Sequence, residues 1–101
     1  MRVEAIELHL HTKGTLVGFA DLAFVDIRLR VFDCAVHQKN GKWWIRLPDK
    51  SYVTRDGEIR WRALLAFGDR DSEAEFQSAA LAALRYPGVF PITLVKAREG
   101  T

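Results

Sequence analysis

The sequence predicts an α+β fold, an antiparallel meander of about five strands packed on one C-terminal helix. Three observations predict it. Period-two alternation of apolar and polar residues dominates the first two thirds of the chain. Asn40-Gly41 and Asp56-Gly57 place short turns between alternating runs, so neighbouring strands run antiparallel. After Ser72 the apolar spacing switches to that of a helix. Strands followed by a helix imply an α+β arrangement. With 101 residues, 49% of them hydrophobic, one domain is the expectation, with the sheet at about 3–67, the helix at about 72–85 and a tail at 89–101.

Taken in order, Val3 to His11 alternates and settles at Ile6, Leu8 and Leu10 against Glu7, His9 and His11, a first strand. Thr12-Lys13-Gly14 reads as a turn. Thr15 to Phe24 is apolar but for Gly18 and Asp21, a second strand. Val25 to His37 reads as a third strand with a change of phase: Val25, Ile27, Leu29 and Val31 share one face, then Phe32, Cys34 and Val36 take over. A one-residue slip moves every side chain to the other face, so the change predicts a bulge or bend near Phe32. Asn40-Gly41 leads into a fourth strand, closed by Pro48. Asp56-Gly57 leads into a fifth, running from Glu58 toward Phe67.

Ser72-Glu73-Ala74-Glu75 has the form of a capping box, and Phe76, Ala79, Ala80, Ala83 and Leu84 form the apolar stripe behind it. Pro87-Gly88 stops the helix. Ile92 to Val95 could add an edge strand or reach a partner subunit; Pro91 keeps it off a central position. The helix stripe is expected to cover a sheet face made of Val25, Ile27, Leu29, Trp43, Ile45, Ile59 and Trp61.

The opposite face carries the functional expectation. In Lys42–Leu47, Trp43, Ile45 and Leu47 point one way and Lys42, Trp44 and Arg46 the other. Glu58–Arg62 places Ile59 and Trp61 opposite Arg60 and Arg62. One face therefore gathers Arg28, Arg30, Lys42, Trp44, Arg46, Arg60 and Arg62, with Lys50 in the following loop. Cations track phosphates, and an indole among them offers bases a stacking platform. The expected partner is single-stranded DNA or RNA. The net charge of +2 and pI near 8.9 are too mild to add to that reading; only the distribution of charge does.

The pieces Val25-Asp26-Ile27-Arg28, Gly41, Trp44-Ile45-Arg46-Leu47-Pro48, Lys50, Asp56-Gly57 and Arg60, followed by a closing helix, resemble the stage V sporulation protein G (septation regulator) family over roughly residues 17–84. The strand before Pro48 is one residue longer here, and Ala63-Leu64-Leu65 stands where that family has a His-Pro pair. The resemblance implies a small antiparallel sheet on a helix, a homodimer, and DNA or RNA binding. The sheet-then-helix order is also similar, in architecture alone, to the transcriptional coactivator p15-like single-strand binders.

Other chemistry is sparse. His9 and His11 share a strand face and read as two solvent-facing polar residues rather than half of a metal site, since no Cys, Asp or Glu cluster completes one, and no metal is expected. The single cysteine, Cys34, sits in an apolar alternation, as a buried small hydrophobe would, and three residues from His37 it faces the other side. No phosphate-cradling glycine loop and no paired acid and base mark an enzyme, and no cofactor is expected. No apolar run approaches the roughly 20 residues of a membrane span. A lone cysteine and a charged N-terminus fit the cytoplasm. The alternative function is a protein-interaction or dimerisation module built on Ala79, Ala80, Ala83, Leu81 and the apolar tail, with the basic face as plain surface.

Overall fold

A computed structural model of the chain describes residues 1–85. Four strands, β1 (Val3–Lys13), β2 (Leu16–Phe24), β3 (Leu29–Lys39) and β4 (Lys42–Arg46), form an antiparallel sheet in chain order. Two more, β5 (Asp49–Val53) and β6 (Ile59–Ala63), pair into a separate antiparallel ribbon. One helix, α1 (Arg70–Arg85), follows. The α+β order is as predicted, and the first four strands are the expected meander. The helix stop at Pro87-Gly88, the strand expected at 92–95 and the tail at 89–101 lie outside the described residues.

The sheet departs from expectation at its second connection. Val25–Ile27 is not strand but a turn of 3-10 helix, ended by Arg28 in the left-handed region at φ 54°. Two long antiparallel strands need a reversal between them. Here it is made without Gly or Pro, held by Asp26, whose Oδ2 accepts the Arg2 backbone N–H at 3.1 Å, and by the Val25 N–H bonded to the Arg2 carbonyl. Ile27 consequently leaves the expected buried face and is exposed. Ile6, expected on the inner face of β1, is exposed too, because register slips between Ala5 and Glu7.

The phase change in β3 is a bulge, as predicted. Register shifts where Asp21 of β2 opposes Phe32 and Asp33, and Asp33 sits at φ 60°. Asp21 Oδ1 accepts the Asp33 N–H at 3.0 Å, which ties down the donor that the bulge takes out of the ladder. Because of it Val31, Cys34 and Val36 all face the helix although they differ in parity. The Asn40-Gly41 turn forms with both residues at positive φ (52° and 80°), the combination a two-residue type I′ hairpin demands. Gly18 interrupts β2 for a steric reason: a Cβ there would strike the His9 carbonyl oxygen.

The core is the inner sheet face, with Val3, Ala20, Leu22, Phe24, Val31, Cys34, Val36 and Ile45, closed by Phe76, Ala80 and Leu84 of α1. Phe76 stacks on Phe24 at 5.6 Å and meets Phe67 at 5.2 Å. Ala79 and Leu81 pack at the margin of this core, so that part of the Ala-rich surface expected to hold a partner serves the helix's own sheet instead. Gln77, which the sequence did not single out, accepts the Ile45 N–H at 2.9 Å and donates to the Ile45 carbonyl. It occupies backbone groups that edge strand β4 would otherwise present to another chain.

The helix begins one turn earlier than the capping box predicted. Asp69 caps it, accepting the Ser72 N–H at 2.7 Å and the Ser72 hydroxyl at 3.1 Å. Those bonds hold the Asp69 carboxyl below its usual range. Ser72 therefore spends its hydroxyl on Asp69, and Glu75 lies 2.8 Å from the Met1 amino group instead of reaching back.

The largest correction concerns the fifth strand. Ile59 and Trp61 do not join the core. They lie on the ribbon at 70% and 65% exposure, because the residues after Pro48 form β5, a strand the sequence did not reveal, and β6 pairs with it rather than with the sheet.

Two measurements test this packing. Phe76→Ala should cost about 3–5 kcal/mol in chemical denaturation; a loss under about 1 kcal/mol would mean that the ring is not in the core. At the bulge, Asp33→Gly should be tolerated, whereas Asp33→Val should cost roughly 1–2 kcal/mol, because a branched side chain is forced into left-handed backbone.

Candidate nucleic-acid interface

Residues paired directly across antiparallel strands share a face. Val36 pairs with Ile45 and Gln38 with Trp43, on the helix side. Ala35 pairs with Arg46, His37 with Trp44 and Lys39 with Lys42, on the other. The neighbouring tryptophans thus divide as alternation requires. Trp43 packs at the margin of the core, and Trp44 stands on the face away from the helix with Lys42 and Arg46.

Trp44 is half-buried rather than fully open, because it stacks on His37 with ring centroids 5.3 Å apart and planes 6° from parallel. His37 Nδ1 lies 2.9 Å from Thr15 Oγ1, which fixes the imidazole and through it the indole. Burial, and then the nearby Arg46 guanidinium, lower the His37 pKa, with Asp49 opposing them. Beside the stack is a concavity lined by Lys39, Asn40, Lys42 and Trp44. Lys39 and His37 were missed from sequence. The Asn40-Gly41 signal could have found both, since a two-residue turn makes 39 and 42 partners and, two residues further along each strand, 37 and 44.

The other predicted residues fall into separate places. Arg30 pairs with Ala23 on the outer face, but it lies seven residues along β3 from His37, about 20 Å at the rise of a strand. Arg28 is at the left-handed end of the 3-10 turn, not on a strand face. Neither is brought to Trp44. Arg46 lies 3.5 Å from Asp49, which shares its charge.

Lys50, Arg60 and Arg62 belong to the ribbon. Lys50 pairs with Arg62 and Tyr52 with Arg60, so one ribbon face presents three cations around an exposed tyrosine. Lys50, Tyr52 and Arg62 line a second groove with Ala63 and Leu64. Arg60 is tied to Glu58 at 3.1 Å. The opposite ribbon face holds Val53 and Ile59 as partners, with Trp61 beside them paired to Ser51, and all three apolar side chains are 65–70% exposed. The expected alternation of Ile59 and Trp61 against Arg60 and Arg62 is present; the expected cover over the apolar side is not. Tyr52 was invisible because β5 was read as a loop. The single basic face expected from sequence is therefore two clusters, Lys39–Lys42–Trp44–Arg46 on the sheet and Lys50–Tyr52–Arg60–Arg62 on the ribbon.

Cys34 is fully buried, and desolvation, with Asp21 and Asp33 adding to it, pushes its thiol up to about 12. A thiol held protonated is no nucleophile at neutral pH. It is the small core residue expected. No helix among the described residues is long and apolar enough to cross a membrane.

The His37 environment has a measurable consequence. A histidine whose folded pKa lies below its unfolded value binds fewer protons when folded, so stability falls as pH drops below about 6.5 toward the lowered value. An NMR titration should place the His37 midpoint below that of an ordinary imidazole, and His37→Gln should remove its part of the acid-side loss. A His37 midpoint above 6.5 would contradict the account. Comparison with family models, with curated proteins and with solved structures finds no match to this chain.

Proposed function

We propose that this protein binds single-stranded or flexible nucleic acid, with Trp44 as a base-stacking platform and the surrounding cations holding phosphates. The observation that carries the reading is the concavity beside the His37–Trp44 stack. It sets an indole held at a fixed angle against two lysines and an asparagine. Stacking needs a rigid π-face, and His37, anchored on Thr15, supplies the rigidity. Lys39 and Lys42 make no ion pair among the described residues, so their charge is available to a phosphate, unlike that of Arg46 and Arg60. The ribbon repeats the composition, an aromatic among cations, and offers a second contact to the same strand of nucleic acid. Of the pieces that resemble the septation regulator family, those from Trp44 to Arg60 run through both clusters. The role proposed is that of a cytoplasmic, non-enzymatic regulatory binder, with no cofactor.

A second observation favours self-association. Val53, Ile59 and Trp61 expose one apolar ribbon face, and large apolar side chains grouped on one side of a two-stranded ribbon need cover. We propose that a homodimer forms through this face rather than through the alanines of α1. A dimerisation module without nucleic-acid binding is the competing account, and the two separate on binding alone.

Fluorescent oligonucleotide titrations, run beside thermal melts, test the reading. Trp44→Ala should weaken binding by about 1–3 kcal/mol, the worth of one stacked base, while lowering stability only by about the 0.5–1.5 kcal/mol of its stack on His37. Lys42→Ala should reduce the salt slope by roughly 0.7, one phosphate contact on a single strand. No binding of any oligonucleotide at low salt, or undiminished binding by Trp44→Ala, would leave the dimerisation module as the better account.

A further inference from the structure

We propose that Glu7, His9 and Asp21 form a binding site for a transition-type divalent cation such as zinc. Glu7 and His9 are two apart on β1 and share the outer face of the sheet; Asp21 is the direct cross-strand partner of Glu7. Their potential ligand atoms all lie within 4.8 Å of one another. His9 Nε2 is 3.7 Å from Glu7 Oε1 and 3.7 Å from Asp21 Oδ2. Zinc bound at about 2.0–2.1 Å to nitrogen and oxygen sets tetrahedral ligands about 3.4 Å apart, so small rotations of the exposed Glu7 and His9 side chains close the set.

Asp21 is the observation that points to a cation. It is the one buried charged residue among the described residues, at 8% exposure. Its Oδ1 is held by the Asp33 N–H across the β3 bulge. Its Oδ2 faces the cluster, 3.7 Å from His9 Nε2. The group facing this carboxylate is an exposed imidazole, 3.7 Å away, with a second carboxylate on its other side. Glu7 and Asp21, like charges directly opposite each other, repel, and a cation bound between them relieves that repulsion. The Asp33 bond also supplies what a metal ligand needs behind it, a contact that fixes the orientation of the carboxylate. An imidazole among the ligands favours zinc or a similar metal over magnesium or calcium, which take oxygen. Three protein ligands on an exposed face leave a fourth position for water or for an anionic group of a partner.

The test uses the full chain, stripped with a chelator and titrated with zinc chloride near neutral pH by calorimetry, with thermal melting alongside. The expected result is about one zinc per chain, with a raised melting temperature. Glu7→Gln and His9→Gln, both at exposed positions, should each weaken binding by about tenfold or more. His11→Gln, on the same strand outside the cluster, should not. Asp21→Asn keeps an acceptor for Asp33 while removing the charge, and should also lose zinc. No zinc uptake at micromolar metal, zinc held undiminished by Glu7→Gln and His9→Gln, or magnesium or calcium bound as tightly as zinc would each overturn the proposal. Oligonucleotide binding is measured separately, so failure here leaves the nucleic-acid reading standing.

Discussion

The bulge at Asp33 is the constraint on which the rest depends. A strand of eleven residues with unbroken alternation could not place Val31, Cys34 and Val36 on one side. One residue had to be set outside the ladder, and doing so left a backbone N–H to be satisfied. Asp21 accepts it from the neighbouring strand. That bond gives the Oδ1 of the acid in the middle of the apolar strand β2 a structural role, and leaves its Oδ2 to the Glu7–His9 cluster. It also brings Val31, in the lower half of β3, onto the same buried face as Cys34 and Val36 in the upper half, while Leu29, expected on that face, stays exposed.

Once the inner face is set, the outer face follows by exclusion. Phe76, Ala80 and Leu84 close the inner side, and Gln77 binds the backbone of β4 at Ile45. With Ile45 held inward, its neighbour Trp44 has only the outer face available, where His37 receives it. The His37–Trp44 stack is thus a by-product of helix docking. The helix positions the candidate site without touching it, by fixing which way the last strand of the sheet is turned.

The ribbon obeys different physics. Two strands alone bury little, and both faces of β5 and β6 remain largely open. The Asp56-Gly57 turn and the Thr54 contacts hold its end: the Thr54 hydroxyl accepts the Glu58 N–H, and the two backbones bond at 2.9 Å. Local geometry is therefore well defined, while its apolar side has no cover from the described residues.

Much of this was determined by the sequence alone. Alternation and the Asn40-Gly41 turn defined β3 and β4, the phase change located the bulge, and the helical spacing picked out Phe76, Ala80 and Leu84. The division of Trp43 from Trp44 follows from a period of two and nothing else. What only the tertiary structure decided depends on partners distant in the chain. Ile59 and Trp61 alternate like core residues, yet alternation says which residues share a face and not what covers it. β5 was hidden because Asp49–Val53 has too few apolar residues to show a period, and it exists through pairing with β6. Glu7 and His9 meet Asp21 only because the β1–β2 register aligns them, and register is a property of the sheet. The reversal at Val25–Arg28 lacks the Gly or Pro that usually marks a turn; Asp26 holds it by bonding Arg2, more than twenty residues away, and the local pattern did not announce that partner.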